Sequence, residues 1–245
     1  MDDTASKKIK KKLLGQAGSY KIYLVDDALV RGSCKEGWEF SDYGVNLHHR
    51  GLPTIDFSFI PENEIWLAKS VAHYERHFIL DSVVLYIKYI EAGLSAGGAY
   101  DKVILAEKKK RKKELLKKLN MARVKEAVPH IYAGKYAEVK EGAGVLKIFL
   151  IRGEVARALY KTDFVEAGHG YVYKWIPKNE IWVDMLLKPK EMPVVILHEL
   201  VERLLMRDKK FSYAKAHPIA SRVEAQHRGN FSKKDVLNLA GSLAF

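Results

Sequence analysis

The chain has 245 residues, of which 48% are apolar and 29% are charged, a composition that indicates a globular protein and excludes a disordered one. A single cysteine, Cys34, leaves no internal disulfide, and the N-terminus lacks the apolar core of a signal peptide. No apolar run reaches the roughly 18 residues that a membrane helix needs. We therefore expect an intracellular, cytoplasmic protein without a membrane partner.

The net charge of +12 comes from two short segments, because residues 7–12 contribute +5 and residues 108–118 contribute +7. Either segment is explained by solvated lysines on a tail or a helix face. A run of this kind also neutralises phosphates without reading bases, so nonspecific nucleic-acid binding is a second hypothesis. The candidate residues for that binding are Lys108, Lys109, Lys110, Arg111, Lys112 and Lys113.

The chain contains an internal repeat. Residues 60–66 read IPENEIW and residues 176–182 read IPKNEIW, so six of seven positions are identical. Upstream, KIYLV at 21–25 matches KIFLI at 147–151. A duplicated structural unit explains both matches. The repeated tryptophans are assigned to the architecture and not to a ligand platform, because they recur in both copies.

Each copy predicts, in chain order, a hairpin, a strand and two helices. The turn-prone pairs at 26–27 and 152–153 indicate a hairpin after each KIxLx segment. Alternating apolar residues at 55–59 and 171–175 indicate a half-buried strand. We predict an α+β fold in which each unit is a small antiparallel sheet followed by two helices. The predicted segments are a basic tail at 1–14, unit one at 15–118, a connector at 119–129 and unit two at 130–245.

The first helix of unit two, VVILHELVERLLM at 194–206, carries a candidate metal site. His198 and Glu202 are four residues apart, so they share a helix face and can bind one ion. Glu199 stands where a general base can activate water, as in the H-E-x-x-H helix of metalloproteases. His217 in the next helix supplies a third ligand and leaves one position of a zinc ion open. Glu224 is either an alternative ligand or a carboxylate that holds an imidazole N–H.

The segment from HELVE to SYAKAHPIASRVE, within residues 196–224, resembles small zincin-like domains of archaeal and phage-encoded proteins. The resemblance implies a helix pair that binds zinc under a small antiparallel sheet. It implies ligand roles for His198, Glu202 and His217 and an acid–base role for Glu199. The implied activity is a zinc-dependent hydrolase with a peptide or protein substrate. Pro218 departs from the expected helix, because proline removes a backbone hydrogen bond and bends the chain beside His217.

Unit one lacks this set of residues. At offsets of 116 and 117 residues, Ser82, Tyr86 and Tyr100 match His198, Glu202 and His217, and Glu107 matches Glu224. Either the first copy is a degenerate unit that lost its site, or neither copy binds metal.

Three other hypotheses stay open. The HELVE segment is also explained as an amphipathic surface helix in which Glu199 pairs with Arg203. A second alternative is that the protein is a noncatalytic viral or chromosomal protein that binds nucleic acid through its basic segments. A bound metal ion would also serve a structural role without catalysis.

Overall fold

The chain divides into two compact units, residues 1–110 and residues 111–245. The structure, a computed structural model, describes residues 9–26, 29–30, 43–48, 50–52, 55–141 and 144–242. Within these residues no helix is long and apolar enough to cross a membrane.

Unit one is built on a four-stranded mixed sheet. Its strands are β1 (Lys11–Ala17), β2 (Tyr20–Val25), β3 (Tyr43–Val45) and β4 (Glu64–Ala68), in the order β1-β2-β4-β3. β1 and β2 form an antiparallel hairpin around Gly18, whose φ of 59° favours glycine. β2 and β4 are parallel, whereas β3 and β4 are antiparallel. Two helices follow, α1 (Arg76–Glu91) and α2 (Ala96–Lys118), and the boundary between the two units falls inside α2.

Unit two repeats the strand order of unit one. Its strands are β5 (Tyr132–Glu141), β6 (Gly144–Ile151), β7 (Ala167–His169) and β8 (Glu180–Asp184), in the order β5-β6-β8-β7. Its helices are α3 (Val124–Ala127), α4 (Gly153–Leu159), α5 (Met192–Asp208), α6 (Tyr213–His227) and α7 (Lys233–Ser242), and the 3₁₀ turn is Val128–Ile131. The α+β prediction with two repeated units is therefore confirmed.

The two tryptophans of the repeat occupy the same position in both sheets. Trp66 lies opposite Gly44 in the β3–β4 pair, and Trp182 lies opposite Gly168 in the β7–β8 pair. Both indoles are buried, and each donates its Nε1–H to the glutamate two residues earlier at 2.7 Å. This shared register makes β3 the counterpart of β7. The structure thus gives the tryptophans the architectural role that their recurrence predicted.

The predicted antiparallel sheet is wrong in one respect, because each sheet contains a central parallel pair. The KIxLx segment does not begin a hairpin with the residues that follow it. It is the second strand of a hairpin, and it pairs with the strand before it in the chain. In unit two, α4 begins at Gly153 where the predicted hairpin turns. A Cβ at Gly153 would lie 1.8 Å from Oδ2 of Asp184, so glycine lets this helix start against β8. In unit one the corresponding pair is at 26–27, and residue 27 lies outside the described residues.

The strand predicted at 171–175 is also absent, because these residues form turns. Tyr173 and Trp175 instead pack on each other with ring centroids 5.0 Å apart, whereas Tyr171 packs against the ring of His169. Trp175 stacks on Tyr160 with ring centroids 4.6 Å apart and lies 5.5 Å from Trp182. In unit one, the strand predicted at 55–59 is reduced to an isolated bridge between Asp56 and Val45.

The core of unit two places α5 directly on the sheet. Val195, Ile196 and Leu200 of α5 pack against strand residues such as Ile148 and Ile181. Fully burying one such side chain contributes about 1.5–3 kcal/mol, so this contact fixes the orientation of α5. α6 packs on α5 through Ala216 and Ala220, which are both fully buried. These small residues let the two helices approach closely.

Candidate metal centre

The buried face of α5 carries three polar side chains. His198, Glu199 and Glu202 are each at most 8% exposed, although they belong to residue types that are seldom buried without a partner. The predicted surface pair of Glu199 with Arg203 does not form. Arg203 instead pairs with Glu141 and donates to the backbone carbonyl of residue 178. α5 is therefore a helix with a polar cluster on its buried side and not an amphipathic surface helix.

The three predicted ligands come together. Nδ1 of His217 lies 2.8 Å from Oε2 of Glu202 and 3.1 Å from Nε2 of His198. Nε2 of His198 lies 3.6 Å from the same Glu202 oxygen. Ligand atoms around a tetrahedral zinc ion, with bonds of about 2.1 Å, are separated by about 3.4 Å. The triangle formed by these three atoms therefore has the size of a metal-binding face.

Pro218 does not displace His217. The helix α6 continues through Pro218, and the hydroxyl of Ser221 donates to the carbonyl of His217 at 3.0 Å. The ring of His217 is also stacked by Tyr213, with centroids 4.9 Å apart. The contact with Tyr213, together with those to Glu202 and His198, holds the imidazole of His217 beside α5.

Glu224 lies behind His198 and not among the three converging atoms. Its Oε2 is 2.9 Å from Nδ1 of His198, the ring nitrogen that faces away from His217. Arg228, which directly follows α6, pairs with Glu224 and also with Glu191. Of the two roles predicted for Glu224, the geometry matches the carboxylate that holds an imidazole N–H.

His169 is a member of the cluster that the sequence did not reveal. It is the last residue of β7 and is fully buried. Its Nε2 lies 3.1 Å from Oε1 of Glu202 and 4.0 Å from Oε2 of Glu199. Its Nδ1 accepts the backbone N–H of Tyr171 at 3.2 Å. Aligning the two copies on their equivalent glycines could have found it. Gly44 and Gly168 each lie opposite the repeated tryptophan, and the next residue is Val45 in unit one but His169 in unit two.

The carboxylate at the centre of the cluster is strongly favoured as an anion. Burial raises the pKa of Glu202, but its close contacts with the imidazoles of His169, His198 and His217 outweigh burial and lower it to about 2. Burial lowers the pKa of His198, but its hydrogen bonds with Glu202 and Glu224 outweigh burial and raise it to about 10. In the metal-free protein a proton on His198 therefore balances the carboxylates that surround it.

The other two members of the cluster are shifted toward their neutral forms. Burial, followed by the nearby charge of Glu202, raises the pKa of Glu199 to about 8. Burial also lowers the pKa of His169, and the close contact with the Glu202 carboxylate opposes this shift. A divalent cation at the cluster would favour the ionised form of Glu199, since its charge replaces that of protons.

Solvent reaches the cluster on one side. The side chain of His217 is 35% exposed, whereas those of Glu202 and His169 are 3% and 0% exposed. Tyr213, which covers His217, is exposed as well. A ligand from solvent therefore approaches beside His217, and His169 lies on the opposite, interior side of Glu202.

The equivalent positions of unit one are filled differently. The hydroxyl of Ser82 donates to Glu107 at 2.6 Å, in the place of the contact between His198 and Glu224. Val45, Val83 and Tyr86, which match His169, Glu199 and Glu202, belong to the apolar core. Within the described residues, the groups of His and Glu side chains that could hold an ion both lie in unit two.

The basic residues predicted to bind nucleic acid lie on α2. Arg111 is 4% exposed, and Lys110 pairs with Asp81. Lys109, Lys112 and Lys113 are exposed. Half of the six candidates therefore point to solvent, as expected of a solvated helix face.

Comparison with protein families, with curated proteins and with solved structures gave no match to this chain. The function is therefore inferred from the residues of the cluster.

Proposed function

We propose that the protein is a metal-dependent hydrolase whose single site lies in unit two. The observation that carries the proposal is the convergence of two imidazole nitrogens and one carboxylate oxygen within 3.6 Å of one another. Buried ionisable groups are costly unless they are paired or bind a metal. One divalent ion would satisfy all three atoms at once.

Zinc is the ion that suits this donor set best. Two imidazoles and one carboxylate form the His₂Glu set of catalytic zinc sites, which leaves a fourth position open. Nδ1 of His198 faces a carboxylate, Glu224, and metal-ligating histidines usually donate their second N–H to such a group. When bound, zinc would polarise a substrate carbonyl and lower the pKa of water toward about 7.

Glu199 is the proposed general base. It directly follows the ligand His198 in α5, and its carboxylate is buried near Glu202. A bound divalent ion would favour the ionised form of Glu199, which is the form that accepts a proton. Glu199 would accept a proton from the attacking water and pass it to the leaving amine.

A peptide or protein is the proposed substrate class, on the basis of the resemblance of HELVE and SYAKAHPIASRVE to zincin-like domains. The substrate would reach the site beside His217, where the cluster is open to solvent. Tyr213 lies over His217 on this side, so its ring would contact the bound peptide.

The test is peptide hydrolysis by the zinc-loaded full chain, measured with a mixture of unstructured peptides and mass spectrometry. Glu199→Gln keeps the shape of the side chain but removes the base. We expect this variant to bind zinc like the wild type and to lose about 10²–10⁴-fold in hydrolysis rate. Glu107→Gln makes the same chemical change at a glutamate of unit one, outside the proposed site, and this control should hydrolyse normally. Equal rates for wild type and Glu199→Gln would refute this mechanism.

A further inference from the structure

His169 contacts the proposed metal site from its buried side. Oε2 of Glu202 faces His198 and His217, whereas the other oxygen, Oε1, lies 3.1 Å from Nε2 of His169. We propose that His169 is a positioning residue whose Nε2–H holds the inner oxygen of Glu202, so that the outer oxygen alone is presented to the ion. This inference rests on the metal site of the proposed function.

The hydrogen bonds of His169 determine which ring nitrogen carries the proton. The backbone N–H of Tyr171 points at Nδ1 from 3.2 Å, so Nδ1 acts as an acceptor. A neutral imidazole has one N–H, which must then be on Nε2. Within the described residues Nε2 has no aligned hydrogen-bond partner, and Oε1 of Glu202 is the nearer of the two carboxylate oxygens around it. The Nε2–H of His169 is therefore a buried donor, and Oε1 of Glu202 is the acceptor nearest to it.

The backbone around His169 holds the ring in this place. Opposite Ile181 in the sheet, His169 stands between two glycines at which a side chain would not fit. A Cβ at Gly168 would lie 2.5 Å from the ring of Tyr173, and a Cβ at Gly170 would lie 2.6 Å from the carbonyl oxygen of Ile176. A ligand-orienting group must be locked in this way, because small displacements of a ligand weaken metal binding.

The same atoms also raise the alternative of a second ion between His169, Glu199 and Glu202. A ligand at Nε2 would require the ring proton to move to Nδ1, where it would meet the N–H of Tyr171. Charge disfavours the second ion as well. Glu224 is paired with Arg228, so the two carboxylates of Glu199 and Glu202 balance a single divalent ion. Another ion would leave uncompensated positive charge in a buried site, which is costly.

The experiment is zinc titration of the metal-free full chain by calorimetry, with three substitutions of His169. His169→Val introduces the residue that unit one has at this position, Val45, and removes the donor. His169→Gln places an amide N–H about where Nε2 lies, whereas His169→Asn carries the same amide on a shorter side chain. We expect one zinc ion per chain in every case. Affinity should fall about 10–100-fold in the Val and Asn variants and recover in the Gln variant.

Cobalt substitution provides a spectroscopic readout of the same change. The absorption spectrum of bound Co²⁺ depends on the number and geometry of its ligands. We expect the spectrum of the wild type to be kept in His169→Gln and to change in His169→Val and His169→Asn, because a released Glu202 carboxylate binds with both oxygens. A purely structural role for His169 would alter stability without this pattern.

Four results would overturn the inference. The first is that the wild type binds two zinc ions and His169→Val binds one. The second and third are that zinc affinity is unchanged in His169→Val, or falls equally in the Gln and Asn variants. The fourth is that the cobalt spectrum is the same in all variants. Absence of peptide hydrolysis together with the expected affinities would refute the hydrolase and leave the role of His169 supported. Failure of the wild type to bind zinc would refute both.

Discussion

The two units share one scaffold and differ in what fills the space between the sheet and the helix pair. In unit one, this space holds Val45, Val83 and Tyr86 as part of an apolar core. In unit two, the same positions hold His169, Glu199 and Glu202. The scaffold therefore does not require the polar residues. Their burial in unit two has a cost that unit one avoids, and the proposed metal binding would account for it.

One contact shows how closely the two units correspond. Ser82 bonds to Glu107 in unit one, and His198 contacts Glu224 in unit two. The helix pair thus keeps a carboxylate on the second helix in both copies. Only in unit two does that carboxylate stand behind an imidazole that faces further ligands. The degenerate-copy hypothesis therefore agrees with the geometry, because the supporting carboxylate is present where the ligands are not.

The largest effect should come from giving unit two the residues of unit one. The substitutions are His169→Val, His198→Ser, Glu199→Val, Glu202→Tyr and His217→Tyr. Zinc binding should be abolished, while the free energy of unfolding of the metal-free protein stays equal or rises, since apolar residues often replace a buried ionic cluster without loss. Urea denaturation with a chelator present measures this. A variant that is destabilised by more than about 3 kcal/mol would show that the cluster also supports the fold.

Removal of zinc from the wild type should destabilise unit two and leave unit one unchanged. At a zinc concentration of 100 times the dissociation constant, binding stabilises the folded state by about 2.7 kcal/mol. Hydrogen exchange in the presence and absence of a chelator locates this effect. We expect faster exchange in α5 and α6 after chelation and the same exchange in α1. Equal changes in α1 and α5 would contradict the assignment of the site to one unit.

A smaller effect is expected from the carboxylate behind His198. Glu224→Gln should weaken zinc binding by about 10–100-fold, because a neutral amide orients the imidazole less strongly. Glu107→Gln makes the same change in unit one, where it weakens one hydrogen bond to Ser82. This control should cost about 1 kcal/mol of stability and leave zinc affinity unchanged. The comparison fails if the two substitutions change zinc affinity equally.

The helix-borne part of the site could be predicted from the sequence because helical geometry is local. A spacing of four residues places His198 and Glu202 on one face whatever the rest of the chain does, and His217 follows on the adjacent helix. The repeat then located the unit that lacks these residues. The sequence also indicates Glu224 as a candidate, but its contact with Nδ1 of His198 is visible only in the structure.

The strand-borne part could not be predicted in the same way. His169 reaches Glu202 because β7 pairs with β8 in one particular register, which depends on contacts distant in sequence. The central parallel pairing was missed for a similar reason, since alternation of residues does not reveal strand direction. The alternating aromatic residues at 171–175 form turns, in which Trp175 packs on Trp182 and Tyr171 packs against His169. Long-range pairing therefore completed a site that local periodicity had only half described.

The most direct measurement is the amount of zinc that the full chain retains after equilibrium dialysis, compared between Glu202→Gln and its unit-one counterpart, Tyr86→Phe. Glu202 touches all three imidazoles of the cluster, so its substitution removes the group on which they converge. We predict one zinc ion per chain in the wild type and in Tyr86→Phe, and none in Glu202→Gln. A wild-type chain that retains no zinc, or a Glu202→Gln chain that retains as much as the wild type, would contradict the proposed site.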